Sequence, residues 1–230
     1  MNTDIVIRTY RGDKEWLAHA LESLRHRAHG FRKILVIVPD QDYHLFSHLT
    51  LEEVHRCPAF KDDYLGQQVT KLSADLYTDA DFIMHWDSDS ILTEDVTPET
   101  FMVEGRPIIY KEPYSALEGV PWQPIVAEAL GWTPEFEFMR RHPFVYPRKL
   151  YRDVRRHLEG AHGVNMAAYV TSRPARSFSE FNVMGAYAWS KCPELFTWRH
   201  PSEDKCVVRQ FWSWGGITDE IRAEIRSHLP

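Results

Sequence analysis

Hydrophobic positions follow two alternating rhythms in the first half of the chain. Residues 4–10, 33–38 and 81–86 are short, almost unbroken apolar runs, as strands buried on both faces require. Between them, Trp16, Leu17, Ala20, Leu21 and Leu24 recur at helical spacing after Gly12 and Asp13, and Gly30 closes that segment. Leu65, Val69, Leu72 and Leu76 do the same over residues 64–76, and a weaker helical pattern covers 43–54. Strands alternating with helices predict βαβ units and a doubly wound, mostly parallel sheet, hence an α/β fold. After Asp95 the pattern loosens. It predicts a strand at 107–111, a short helix from Pro124 to Gly131, a basic helix at 147–159 and a helix at 179–189 with Ser179 as N-cap. A short strand at 206–211 and a last helix capped by Thr218, with Ile221, Ile225 and Leu229 on one stripe, complete it. No repeat or linker interrupts the chain. The expectation is one domain over 1–230, with a nucleotide-type half at about 1–95 and a substrate half at about 96–230.

Composition narrows the class. The chain has 230 residues, 43% hydrophobic and 26% charged, enough for a full core without disulfide or metal staples. No apolar run is long enough to cross a bilayer. The first ten residues lack the basic start and apolar stretch of a signal peptide. Cys57, Cys192 and Cys206 form no CxxC pair, as suits unpaired thiols in a reducing compartment. The expected location is cytoplasmic. Net charge is −6, which argues against nucleic acid as partner. One segment opposes that balance: Arg140, Arg141, Arg148, Lys149, Arg152, Arg155 and Arg156 crowd into 17 positions. They suit either a solvated helix face or a surface for an anionic acceptor or membrane headgroups.

The chemistry concentrates in acidic pairs. Asp-x-Asp occurs at 40/42, 79/81 and 87/89, against about one match expected by chance. Asp79 and Asp81 precede a strand and read as a turn. The other two pairs end apolar strands, where open α/β sheets bind ligands. Asp87 and Asp89 can converge on one hard cation, Mg²⁺ or Mn²⁺, whose remaining ligands would be water and phosphate. Such an ion neutralises a departing diphosphate. The competing reading is an Asx-type turn. The pairs His44/His48 and His26/His29 read as surface histidines, and no GxGxxG, GxxxxGK[ST] or GxSxG motif occurs.

The succession TYRGD, VPDQD, YLGQQVTKLSAD, DFIMHWDSDS and FSEFNVMGAYAW resembles small GT-A glycosyltransferases, and is similar to compact domains from bacterial polysaccharide clusters and algal viruses. The resemblance implies the GT-A fold, a Rossmann-like, mostly parallel sheet flanked by helices. It implies transfer of a sugar from a nucleotide-diphosphate donor, UDP-linked, to a saccharide acceptor in glycan or polysaccharide synthesis, with Mn²⁺ or Mg²⁺. It assigns Asp89 as the direct metal ligand, and Asp87 as a contact to the metal, the ribose or both. Arg8, Thr9 and Tyr10 open the nucleotide pocket, Asp40 contacts base or ribose, and Lys71 is expected to reach base or phosphates, against a surface lysine on an amphipathic helix. Glu180 is the expected general base, against a helix-stabilising role near Ser179. His200 is the expected further metal ligand, against an ordinary loop histidine. Other readings stand beside this one. A haloacid-dehalogenase-type phosphatase also places DxD after a strand, but Ile91 departs from its pattern and no later acidic pair follows. A nucleotidyltransferase would carry a Gly-rich N-terminal loop, where this chain has only Gly12. A non-catalytic nucleotide-sugar or carbohydrate-binding module would keep the fold and aromatics without needing Glu180. Phe211, Trp212 and Trp214 read as core or as flanking the donor.

Overall fold

The computed structural model describes residues 2–120 and 122–229. The first half contains β1 (Thr3–Arg8), α1 (Lys14–Arg27), β2 (Ile34–Pro39), β3 (Glu53–Cys57), α2 (Asp63–Lys71), β4 (Phe82–Trp86) and β5 (Ser90–Leu92). There follow β6 (Met102–Val103), β7 (Arg106–Tyr110), β8 (Glu112–Pro113), α3 (Gln123–Leu130), β9 (Phe136–Glu137) and β10 (Phe144–Pro147). The remainder holds α4 (Arg148–His162), α5 (Met166–Thr171), α6 (Glu180–Lys191), β11 (Thr197–Arg199), β12 (Val208–Gln210) and α7 (Asp219–His228).

The central sheet has the order β10-β4-β1-β2-β3. Four strands are parallel and β10 runs antiparallel to β4, so the sheet is mixed. The apolar runs have the expected cause. Along β1, Ile5 and Ile7 face one layer while Val6 faces the other, and all three are at most 2% exposed. Leu17, Leu21 and Leu24 of α1 cover the first face. Leu65 and Val69 of α2, Leu150, Val154 and Leu158 of α4, and Phe181, Val183 and Met184 of α6 belong to the core on the second.

Three expectations are corrected. Residues 43–54 hold no α-helix. A 3-10 turn at Asp40–Leu45 leads to β3, parallel to β2. Phe46 is the buried apolar anchor of this stretch while Leu51 is 75% exposed, so a continuous apolar stripe is missing and the free edge of β2 takes the segment as a strand. The helix at 64–76 ends at Lys71, with a separate 3-10 turn at Ala74–Leu76. Ser179 precedes α6, but its hydroxyl does not cap it. It donates to Met139 Sδ (2.8 Å), and the Glu180 N–H goes to Gln68 Oε1 (3.0 Å). The segments β10 and α5 answer to no predicted element. Thr218 does cap the last helix, accepting from the Ile221 N–H.

Sequential strands step from β1 through β2 to β3, and the chain then returns to place β4 on the other side of β1. The switch point therefore lies between the carboxyl ends of β1 and β4, the place where open α/β sheets bind ligands.

Candidate active site

Asp87, Ser88 and Asp89 follow β4 at this switch point, and Thr9 and Tyr10 follow β1 beside them. Two helices bring the other members. Gln68 and Lys71 sit three residues apart on α2, so both side chains leave the same face. Gln68 holds the first backbone N–H of α6, and Lys71 passes under the start of that helix. Lys71 Nζ lies 3.0 Å from Asp87 Oδ1 and 3.1 Å from Glu180 Oε1, and 4.7 Å from the centre of the Phe181 ring. The side chains of Lys71 and Glu180 are 7% and 4% exposed. The result is a carboxylate–ammonium–carboxylate triad, buried at Lys71 and Glu180 and partly exposed at Asp87, joining α2, the end of β4 and α6.

The short sheet of β5 and β12 adds a second set of contacts. Antiparallel pairing carries residues 208–213 back to the acidic turn. Gln210 Nε2 donates to Asp87 Oδ2 (3.3 Å), the Phe211 N–H to the Asp89 carbonyl (2.8 Å), and the Ser213 N–H to Asp89 Oδ2 (3.0 Å). Trp212 and Trp214 flank Ser213 and are 70% and 79% exposed, whereas Phe211 is buried against Trp16. From the other side, the Asp87 N–H donates to His142 Nε2 (3.2 Å), and His142 Nδ1 lies 3.8 Å from Asp87 Oδ2. Asp13, before α1, accepts from Ser88 Oγ (3.0 Å).

Charge is unevenly matched here. Burial alone would raise the Asp87 carboxyl, but the Lys71 ammonium overrides it and holds it at about 2. Burial would lower Lys71, but Asp87 and Glu180 together raise it. Burial raises Glu180 against the pull of Lys71. Asp89 is pushed up to about 7, by burial and by the Asp87 charge, and Asp13 is raised by burial. Burial brings His142 down to about 4, so it is neutral at pH 7. Among the described residues, neither Asp89 nor Asp13 has a basic side chain within ion-pair distance. The site therefore holds two carboxyl groups, Asp89 and Asp13, whose ionised forms no basic side chain among the described residues balances.

The structure thus brings Asp87, Asp89, Lys71 and Glu180 together, with Thr9 and Tyr10 at the adjoining strand end. Thr9 is buried and its hydroxyl has no partner among the described residues. Tyr10 lies over Gly12, where a Cβ would meet its ring at 2.6 Å. Other expected members stand elsewhere or are already engaged. Arg8 is spent in a bidentate pair with Asp63 at the start of α2. Asp40 is an exposed partner of Arg56 (2.9 Å). Its neighbour Asp42 is the buried carboxylate, holding the Arg11 N–H and guanidinium. His200 is half exposed, and its side chain faces Ser202 Oγ (2.8 Å) and Glu112 (3.9 Å) rather than Asp87 or Asp89. Among the described residues no group of three or more His, Cys, Asp or Glu is arranged to hold a metal ion. Sequence reasoning missed Asp13, His142, Gln210 and Ser213. Each meets the acidic turn from more than fifty positions away, and no local spacing records that.

Fold and site together define an α/β protein with a mixed central sheet and an acidic crevice at its switch point. Residues 3–205 match a family of unknown function, DUF6492, and the chain belongs to that family. No curated protein matches the sequence.

Proposed function

We propose that this protein is a GT-A-type glycosyltransferase that moves a sugar from a nucleotide-diphosphate donor, UDP-linked, to a saccharide acceptor with the help of Mn²⁺ or Mg²⁺. The observation that carries the reading is the position of Asp87 and Asp89. They end β4 at the switch point, and among the described residues neither Asp89 nor Asp13 has a basic partner. A hard divalent cation fits such oxygen donors. Asp89 would hold it with Asp87 beside it, and the ion would supply charge neutralisation for the departing diphosphate.

The chain's own residues do the rest. Lys71 fixes the orientation of Asp87 from below. Gln210 and the Ser213 N–H tie the C-terminal segment to the acidic turn, so ligand binding there is coupled to the exposed Trp212 and Trp214. Thr9 and Tyr10 border the nucleotide side. Glu180 is the candidate base on the acceptor side, and burial raises its proton affinity as that task requires. In the present arrangement its carboxylate holds Lys71, and it takes an acceptor proton only when that pair opens. A phosphatase using Asp87 as nucleophile gains nothing from this geometry, because Lys71 occupies one carboxylate oxygen and Gln210 the other.

The test is release of UDP from a panel of UDP-sugars, with Mn²⁺ or with chelator. Metal-dependent release that Asp89→Asn abolishes supports the reading. Release that is unaffected by both, or none from any donor in the panel, counts against it.

A further inference from the structure

The basic segment of the sequence resolves into a directional surface. Helix α4 buries Leu150, Tyr151, Val154 and Leu158. Its opposite side exposes Arg148, Lys149, Arg152 and Arg156. Arg148, Arg152 and Arg156 are spaced by four, so they form one stripe about 12 Å long with Lys149 alongside. Arg152 lies 3.7 Å from its neighbour Asp153. The other three have no carboxylate within ion-pair distance among the described residues. Glu159 is the one acidic residue in line with the stripe, and its Oε1 is taken by the Met166 N–H (3.1 Å).

Arg155, the remaining arginine of α4, does different work. It turns inward, donating to the Leu72 carbonyl and to Asp75 Oδ2, both at 2.8 Å. This clamps the Ala74–Leu76 turn against α4 and leaves Leu76, 71% exposed, beside the stripe. Leu76 and Arg148 line the same groove, whose carboxylates are each paired with a base: Asp4 and Asp79 with Arg32, Glu53 with Lys33, and Asp75 with Arg155. A basic face, three of whose four cations have no carboxylate partner among the described residues, and a protruding leucine thus sit on a molecule of net charge −6.

We propose that this face docks on the surface of an anionic phospholipid bilayer, with Arg148, Lys149, Arg152 and Arg156 against the headgroups and Leu76 in the interfacial layer. The charge balance picks out the orientation, because the rest of the acidic molecule is repelled by such a surface. Leu76 distinguishes a bilayer from a soluble polyanion. A polyanion would draw on the cations alone, whereas an interface also takes up an exposed apolar side chain. Each basic side chain near an anionic membrane contributes about fivefold in partitioning at modest ionic strength. The four together are then worth about 10²–10³-fold. This inference does not depend on the reaction proposed for the crevice.

Sedimentation with vesicles of about 40 mol% phosphatidylglycerol in phosphatidylcholine, at low and high salt, tests it. The wild type should bind at low salt and release at high salt, and should ignore pure phosphatidylcholine. The variant R148Q/K149Q/R152Q/R156Q should lose about 10²–10³-fold. The charge-matched control K61Q/R106Q/R176Q/R226Q should bind nearly as well as wild type. Leu76→Ser should weaken vesicle binding while leaving any binding of soluble polyphosphate unchanged. Circular dichroism melts confirm that each variant is folded, since all these positions are on the surface. The proposal is overturned by absence of binding at low salt, by equal binding to pure phosphatidylcholine, or by loss in the control as large as in the α4 variant. Binding of polyphosphate without binding of vesicles overturns it as well.

Discussion

Replacing Lys71 by methionine isolates the energetic role of the triad. Methionine has a similar length and flexibility, so it takes the buried place of Lys71 between α2 and α6 without opening a cavity. What disappears is the only ammonium among the described residues that faces Asp87 and Glu180 within 3.1 Å. Removing one partner of a buried ion pair costs about 3–5 kcal/mol, because the remaining charge stays buried without compensation. At about 2–4 °C of melting temperature per kcal/mol for a chain of this size, the expected drop is about 6–20 °C. The pH dependence has a defined sign. Without Lys71, both carboxyls titrate higher in the folded than in the unfolded protein, so the folded state binds more protons and the deficit shrinks as pH falls. The wild type behaves oppositely at Asp87: its contribution is present above about 4 and is lost as pH falls through about 2. Urea unfolding at pH about 7.5 and about 5 reads both effects, and K71M/E180Q should recover part of the loss by removing one stranded charge. A Lys71→Met protein within about 1 kcal/mol of wild type at neutral pH, or a deficit that grows on acidification, would refute the reasoning.

Three further outcomes are expected. Asp89 titrates near 7 in the folded state, so it lowers stability progressively between about pH 4 and 7; Asp89→Asn should therefore melt higher than wild type at pH about 8 without metal, and a lower melting point would contradict this. A Cβ at Gly185 would lie within 2.9 Å of three Phe138 side-chain atoms, so Gly185→Ala should destabilise by about 1–3 kcal/mol despite the better helix propensity, and a raised melting temperature would show that Phe138 yields. Glu180→Gln should lower kcat by about 10²–10⁴-fold while donor binding survives, whereas a folded variant keeping more than half its activity would leave Glu180 as the structural partner of Lys71 alone.

The central strands were legible because burial on both faces writes an apolar run, unbroken in residues 34–38 and interrupted only by His85 in residues 82–86. Helix α1 was legible because its covered stripe repeats at helical spacing. The edge elements were not. Strand β3, Glu-Val-His-Arg-Cys, is half exposed, and only the hydrogen-bonding edge of β2 makes it a strand. The last strand of the sheet, β10, begins just after His142-Pro143, and its pairing partner lies about sixty residues earlier in β4. The site divides the same way. Asp87 and Asp89 could be read from their place after an apolar strand, and Lys71 and Glu180 from the motifs around them. Their mutual pairing could not, since α2 and α6 meet only through tertiary packing. The place of His200, beside Ser202 and Glu112, was illegible for a related reason. Twelve histidines compete for the role, and the one that reaches Asp87 is His142, held by a backbone N–H that no spacing rule records.

The account turns on whether the crevice binds a diphosphate through a cation. Isothermal titration of UDP into the wild-type protein and Asp89→Asn, each with Mn²⁺ and with EDTA, asks this directly. Uncompensated carboxylates repel a diphosphate until a cation lies between them. The account predicts heat of binding only for the wild type with Mn²⁺, quenching of Trp212 and Trp214 fluorescence in the same mixture, and at least tenfold weaker binding in the other three. Equal UDP affinity with and without EDTA, or an Asp89→Asn protein that binds UDP–Mn²⁺ as well as wild type, would contradict it.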